Sequence, residues 1–401
     1  MVREVGRVEA WPEVLSAFPR GLAALLETAA AGFPGPLEEI RLRQGRPLML
    51  VGAGRDLAVT PAGRLSSDLA QAYRPTAEDL GRTVQLLAQN SLYAWEDEIR
   101  QGFLTLPGGH RAGLVGRAVL ERGEVRTLKQ VGGVSLRLAR QVRGAAGVLL
   151  ERLARAFPGP RPPSLLLFSP PQAGKTTVLR DLVRQVSEGS PTLGWRGLKV
   201  GLVDERSELA ASFGGVPQLD VGPRTDVLDA CPKAQGLMML IRSMSPDLVA
   251  TDEIGRPEDS LALQEALGAG VVVAATAHGG SLEDLARRPA LRQLLGLGAF
   301  QAAVLLGRSR GPGTVEAVWD LRKGAERIDL GEAAGQPPGA GSQRPDRPAH
   351  GGELSPAAGR TGGSTLRPAV AGDRDRLRIH PVARGLAPGG SRAQRSGGAA
   401  V

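Results

Sequence analysis

Cysteine is almost absent from this chain: Cys231 stands alone among 401 residues. A single thiol excludes an internal disulfide and any cysteine-based metal site, and it fits a reducing, cytoplasmic compartment. Aromatic residues are nearly as scarce, at 3%. Aliphatic side chains must therefore pack the core, which a hydrophobic content of 42% is large enough to build. Long apolar runs are missing too. The longest, Gly270–Ala277, has the length of a strand, far short of the roughly 20 residues that span a bilayer. The first twenty residues hold acids and prolines where a signal peptide would have an apolar centre. Acids are in the minority, leaving a formal charge of +9. From Gly331 onward there are ten Arg and no Lys against five acids, so +5 of that charge lies in one stretch. A basic balance can point to nucleic acid or an anionic membrane. Here it comes largely from a segment without structural pattern, and no stable nucleic-acid binding is expected.

What is present falls into three regions. Residues 1–150 mix short helical and strand signals and predict an α+β module. Glu38–Leu50 alternates like two strands joined at Gly45-Arg46, and Asp79–Gln89 reads as an amphipathic helix with Leu80, Val84, Leu87 and Ala88 on one face. Gly102–Leu106, Arg111–Val115 and Val119–Leu120 read as short strands around turns at Pro107-Gly108-Gly109 and Arg122-Gly123. Residues 160–325 alternate helical segments with the apolar runs Ser164–Phe168, Lys199–Val203, Leu248–Thr251 and Val271–Ala275. Runs that are apolar throughout suit strands covered on both faces, the βαβ rhythm of a largely parallel sheet in an α/β fold. Residues 331–401, rich in Gly, Pro, Ala, Arg and Ser, cannot bury enough apolar surface to offset chain entropy, and disorder is expected there.

The strand Ser164–Phe168 runs into Ser169-Pro170-Pro171-Gln172-Ala173-Gly174-Lys175-Thr176-Thr177 and then a helical stretch through Val183. Strand, loop and helix in that order are the setting of a phosphate-binding loop. Loop N–H groups at a helix N-terminus would surround the β-phosphate of ATP. Lys175 would reach the β- and γ-phosphates, Thr176 would offer its hydroxyl to Mg²⁺, and Thr177 would lie beside the α-phosphate. The usual pattern begins with Gly where this chain has Ser169, which is tolerable at negative φ. Gln172 is costlier: a left-handed backbone there, without glycine, would cost roughly 1 kcal/mol.

Asp247–Glu253 is an apolar strand that ends in two acids. In a P-loop enzyme it is expected beside the phosphate loop, with Asp252 holding the metal through water and Glu253 orienting or deprotonating the attacking water. The cluster Asp204-Glu205-Arg206-Ser207-Glu208 follows another apolar strand. It reads either as a solvated loop or as a second acidic element, with Glu205 a further candidate for positioning water and Arg206 a local ion-pair partner. His278 ends the run Val271–Ala277, where a γ-phosphate sensor would sit. Arg224 and Arg242 are each either a finger on the transferring phosphoryl group or a partner of Asp226 or Asp229.

Several long strings then carry a resemblance. VDERSEL (Val203–Leu209), VGPRTDVLDACPKAQG (Val221–Gly236), MMLIRSMSPDLVATDEIG (Met238–Gly255) and ATAHG (Ala275–Gly279) resemble the stage III sporulation protein AA family. So do EEIRLRQGRPL (Glu38–Leu48) and SLYAWEDEIRQGFLTLPGGHRAGLVG (Ser91–Gly116) in the amino-terminal half. The resemblance implies a secretion-type, RecA-like ATPase that uses ATP and Mg²⁺ and works as a homo-hexameric ring. It implies a motor for assembly of, or transport through, a channel complex between mother cell and forespore. The protein would lie on the cytoplasmic mother-cell side, held to the membrane by membrane-embedded channel proteins. The family's phosphate loop is richer in glycine than Ser169 and Gln172 allow. Two other readings are a RecA-like ATPase that depends on nucleic acid, and a nucleotide-gated scaffold without turnover.

Overall fold

The computed structural model describes residues 11–88, 102–121 and 123–328. The segment 331–401, residues 91–101 of the amino-terminal string, Gln89 of the predicted helix and Arg122 of the predicted turn lie outside the described residues.

Two sheets organise the chain. The first contains β1 (Leu37–Arg43), β2 (Met49–Gly52), β3 (Arg55–Val59), β4 (Leu65–Ser66), β5 (Phe103–Thr105), β6 (Arg111–Glu121) and β7 (Glu124–Arg137), in the order β4-β3-β2-β1-β7-β6-β5. Every pairing is antiparallel. In β1 the buried residues are Leu37, Ile40 and Leu42. The three-residue step from Leu37 to Ile40 coincides with a register shift against β2, since a bulge alone lets strand periodicity skip a residue. Helices Arg20–Ala31 and Ala77–Leu87 join this sheet's core through Leu22, Leu26, Leu80 and Leu87. The second of them starts at a reciprocal Thr76–Asp79 capping box, which satisfies two otherwise orphaned N–H groups. From Arg117 outward β6 and β7 pair, among the described residues, only with each other, as a ribbon with Leu120 and Val125 exposed. Arg111–Val115 and Val119–Leu120, two short strands by sequence pattern, are parts of one strand, β6.

The second sheet contains β8 (Leu165–Ser169), β9 (Val200–Asp204), β10 (Thr225–Asp229), β11 (Leu248–Thr251), β12 (Val272–His278), β13 (Ala302–Gly307), β14 (Thr314–Asp320) and β15 (Glu326–Ile328). Their order is β10-β9-β11-β12-β8-β13-β14-β15, parallel as far as β13 and antiparallel beyond it. Alternate residues of each strand point to opposite faces. Leu165 and Leu167 join a core with helices Gly147–Ala156 and Lys175–Glu188, and Leu166 and Phe168 join another with helices Lys233–Met244 and Pro257–Gly268. The continuous apolar runs are thus strands with no solvent face.

The parallel registers set the carboxyl ends in one row. Ser169 pairs with His278, Thr251 with Ala275 and Val203, and Asp204 with Asp229. One expectation is corrected here. The Asp-Glu strand β11 does not lie beside the phosphate-loop strand β8, because β12 pairs with both and separates them. The immediate neighbour of the phosphate loop is the strand that ends in His278.

Candidate functional site

β8 delivers the chain to Ser169, a fully buried strand residue outside the left-handed region. The absence of glycine costs nothing at that position. Gln172 does take a left-handed backbone, with φ of 58°. Gly174 follows at φ 86° and caps helix Lys175–Glu188. A Cβ on Gly174 would come 2.8 Å from the Gly313 nitrogen, so both its backbone angle and its surroundings require glycine. Gly313 lies in the turn between β13 and β14 and donates its N–H to the Ala173 carbonyl at 2.9 Å. The phosphate loop is therefore braced by a turn that sequence reading did not connect with it.

Lys175 is buried and its ammonium is folded back into the loop. Nζ donates to Ser169 Oγ at 3.1 Å and lies 3.4 Å from the Ser169 carbonyl and 3.5 Å from that of Pro170. Burial pulls this lysine below its ordinary range, against the opposing charge of Glu253. Thr176 and Thr177 stand half-buried in the first helical turn, whose backbone N–H groups have no intrahelical acceptor. Such an end favours anions.

His278 joins this loop to the acids. Its Nδ1 is 3.2 Å from Lys175 Nζ, and its Nε2 is 2.9 Å from Glu253 Oε1. The other oxygen, Glu253 Oε2, is 2.9 Å from Arg206 Nη1. Burial alone would push the Glu253 carboxyl up, but the bond from His278 and the charges of Arg206, His278 and Lys175 hold it below the usual range. Glu253 is itself left-handed, with φ of 44°, and its N–H donates to Thr276 Oγ1 at 2.8 Å. Asp252 is buried with Oδ1 lacking a hydrogen-bond partner among the described residues. Its pKa is pushed up to about 6 by burial, with Lys233 opposing and Asp204, Glu253 and Glu208 reinforcing.

The acidic cluster divides into separate roles. Asp204 is fully buried and accepts the N–H groups of Glu208, Leu209 and Ala210 at 2.8, 2.9 and 2.8 Å. It winds the following loop around itself. Glu205 turns towards Lys233, which it pairs closely, and towards Arg256 at 3.8 Å. Lys233 is the missed member of the site. It is buried at the start of helix Lys233–Met244, adjacent in space to Glu205 and in charge to Asp252. A lone lysine after Cys231-Pro232 gives no sequence signal, since its burial comes only from the fold.

The two candidate arginines are not brought to the phosphate loop. Arg224 precedes β10, at the opposite edge of the sheet, where Nη1 donates to the Ser187 carbonyl at 2.7 Å. Arg242 is exposed in the last turn of helix Lys233–Met244, which runs back from Lys233 to that same far edge. Neither pairs with Asp226 or Asp229 in the ion pairs of the described residues.

A nucleotide with its cation suits these residues. The loop offers N–H groups and an ammonium, and Asp252 Oδ1 is a buried acceptor with no donor among the described residues. No cluster of three His, Cys, Asp or Glu among the described residues could hold a metal by itself. A cation here would draw ligands from phosphate oxygens and water as well as protein, as Mg²⁺ commonly does.

Comparison with known proteins adds the family. Among solved structures the chain is similar to the pilus retraction motor PilT with bound ADP, at 17% identity over 71% of this chain and 77% of that one, with a TM-score of 0.45. It is also similar to the Legionella pneumophila ATPase DotB, at 16% identity over 71% and 75%, with a TM-score of 0.44. Stage III sporulation protein AA of Bacillus subtilis is 44% identical over 284 residues, 71% of this chain and 87% of that protein. The model of the family described as sporulation stage III, protein AA, matches residues 12–327, and the chain belongs to that family.

Proposed function

We propose that this chain is a Mg²⁺-dependent ATPase with a RecA-like core at residues 160–325, preceded by an α+β domain at 1–150. The observation that carries this reading is the row Lys175–His278–Glu253, which links a phosphate loop to a carboxylate at the carboxyl edge of a parallel sheet. Residues Ser169 to Thr177 would bind the phosphates through loop N–H groups and the Lys175 ammonium. Thr176 and Asp252 would hold Mg²⁺, which when bound would neutralise phosphate charge. Glu253 accepts the proton of the attacking water. His278 touches both Lys175 and Glu253 and senses whether the ammonium has moved to a phosphate. Glu205, held by Lys233, orients water from the side of β9. Arg224 and Arg242 lie too far from this chain's own loop and act, if on phosphate, on that of a neighbouring copy in a homo-hexamer. Such a ring would power assembly of, or transport through, a sporulation channel between mother cell and forespore. It would be peripheral to the mother-cell side through membrane-embedded channel proteins; no helix among the described residues is long and apolar enough to cross a membrane.

ATP hydrolysis by the chain and by Lys175→Ala and Glu253→Gln, with solution mass measured with and without an ATP analogue, tests this proposal. Turnover in the parent alone, with mass rising on analogue binding, is the expected result. Equal background rates in all three proteins would sink the enzyme reading, and nucleotide binding without turnover would favour the scaffold. The nucleic-acid rival requires a gel shift with a steep salt slope.

A further inference from the structure

The loop that carries Arg206 is held from two sides. Arg180, on the helix that starts at Lys175, donates to the backbone carbonyls of Glu208 (2.6 Å) and Leu209. From the other side comes Arg111, the first residue of β6 in the antiparallel sheet. Its Nη2 donates to the Arg206 carbonyl at 2.6 Å, and its Nη1 pairs with Glu208 at 2.8 Å. Its guanidinium also lies 4.1 Å from the centre of the Phe103 ring, a cation–π contact that fixes its direction. The loop backbone is left-handed at Ser207 (φ 52°) and Ala211 (φ 49°), neither of them glycine. A conformation of that kind persists where the surroundings impose it.

At the end of this held loop, the Arg206 guanidinium takes Glu253 Oε2 while His278 takes Oε1. A general base needs an oxygen that can turn to the water it deprotonates. Here each oxygen faces a cationic or proton-bearing donor, and the carboxylate plane is fixed by both. We propose that Arg206 is a latch: a positioning residue that keeps Glu253 turned from the attacking water, set by Arg111 of the antiparallel sheet through its grip on the Arg206 carbonyl. The proposal rests on the ATPase reading of the same site. It makes the amino-terminal half a regulator of turnover, because displacing β6 takes Arg111 with it and frees the loop. Arg206 is 58% exposed and Glu253 30%. An ion pair of that exposure is weak and readily broken, as a reversible latch must be.

The test uses the full chain. Arg206→Ala and Arg111→Ala are each expected to raise kcat about threefold to tenfold, the range a weak exposed pair can hold back, with KM nearly unchanged. Arg206→Lys, which keeps the charge, should remain near the parent rate. The double variant should exceed Arg206→Ala by nothing, since both act through one contact. Unchanged or reduced kcat in Arg206→Ala overturns the latch. A second measurement needs no turnover: amide hydrogen exchange of residues 205–208 without nucleotide. It should speed up in Arg206→Ala, Arg111→Ala and Glu253→Gln. The amides of Gly108 and Asp220 serve as controls, being bound across the two sheets' seam by Gln218 at 2.9 Å and Gln141 at 3.0 Å. They should stay protected. If the parent hydrolyses no faster than Lys175→Ala, the ATPase reading fails, and exchange alone decides the latch. Unaltered exchange at 205–208 in Arg206→Ala overturns it on that ground too.

Discussion

The two sheets of this protein solve burial in opposite ways. In the antiparallel sheet, strands such as β2 bury alternate residues, Leu50 and Gly52, and leave Met49 and Val51 half-buried. In the second sheet, β8, β9 and β11 have no exposed residue at all. A strand buried on both faces has only its ends for chemistry, and the polar residues of these strands are concentrated there: Ser169, Asp204, Asp252 and Glu253 just past β11, and His278. The antiparallel sheet, with a free face and a projecting ribbon, can afford contacts elsewhere, and Arg111 makes one of them. Concentration of chemistry at a sheet edge follows from burial before it follows from any particular reaction.

That contrast can be broken in several places. Phe168 is fully buried between β12 and β13 and packs near Trp319, with ring centres 5.7 Å apart. Phe168→Ala is expected to cost about 3–5 kcal/mol by denaturant unfolding, whereas Leu120→Ala on the β6–β7 ribbon, at 63% exposure, should stay within about 0.5 kcal/mol. Similar costs at the two sites would end the distinction.

The seam between the sheets has its own signature. His110 is buried, accepts the Ala139 N–H at Nδ1 (3.0 Å), and has no partner at Nε2 among the described residues. Burial pushes its pKa from 6.5 down to about 4. Since the folded value is the lower one, the unfolded chain takes up a proton first as pH falls. Stability is therefore fully present above about pH 6.5 and declines towards pH 4, by up to roughly 3 kcal/mol. The pH dependence of unfolding should lose that slope in His110→Gln, apart from the slope due to acids; an unchanged curve refutes the assignment.

Smaller effects are expected in the phosphate loop. Gly174→Ala imposes a Cβ on Gly313 as well as a left-handed alanine, and should lower nucleotide affinity at least tenfold at a cost of about 1–2 kcal/mol, read by titration with a fluorescent nucleotide. Gln172→Gly relieves a left-handed side-chain residue on the exposed part of the loop, and should raise the unfolding free energy by up to about 1 kcal/mol. No gain there would mean that Gln172 is stabilised by contacts that offset its backbone.

Legibility in the sequence followed the same contrast. β8, β9, β11 and β12 were readable because two-sided burial writes an unbroken apolar run, and the residue ending each run was then a natural candidate. β10 was not, since Thr225–Asp229 is only partly buried and carries two acids. β7 contains Gly132-Gly133 and β13 begins with alanines, so neither announces a strand. In the site, His278 and Glu253 were legible as strand ends. Lys233 and Arg111 were not, because their partners are 28 and 97 residues away in sequence. Arg224 was a candidate by residue type alone, with ion pairing as the alternative, and topology places it at the opposite edge. The order of β11 and β12 was likewise invisible, since strand order is written in no single segment.

The bond from Gly313 to Ala173 has a consequence in time. A ribosome makes the phosphate loop some 140 residues before it makes the turn that braces it. Strand β8, too, waits for both its neighbours, β12 and β13. A nascent chain exposing the whole loop motif therefore still lacks the parts that give the loop its shape, and nucleotide binding should begin late in synthesis, only after Thr314 has emerged.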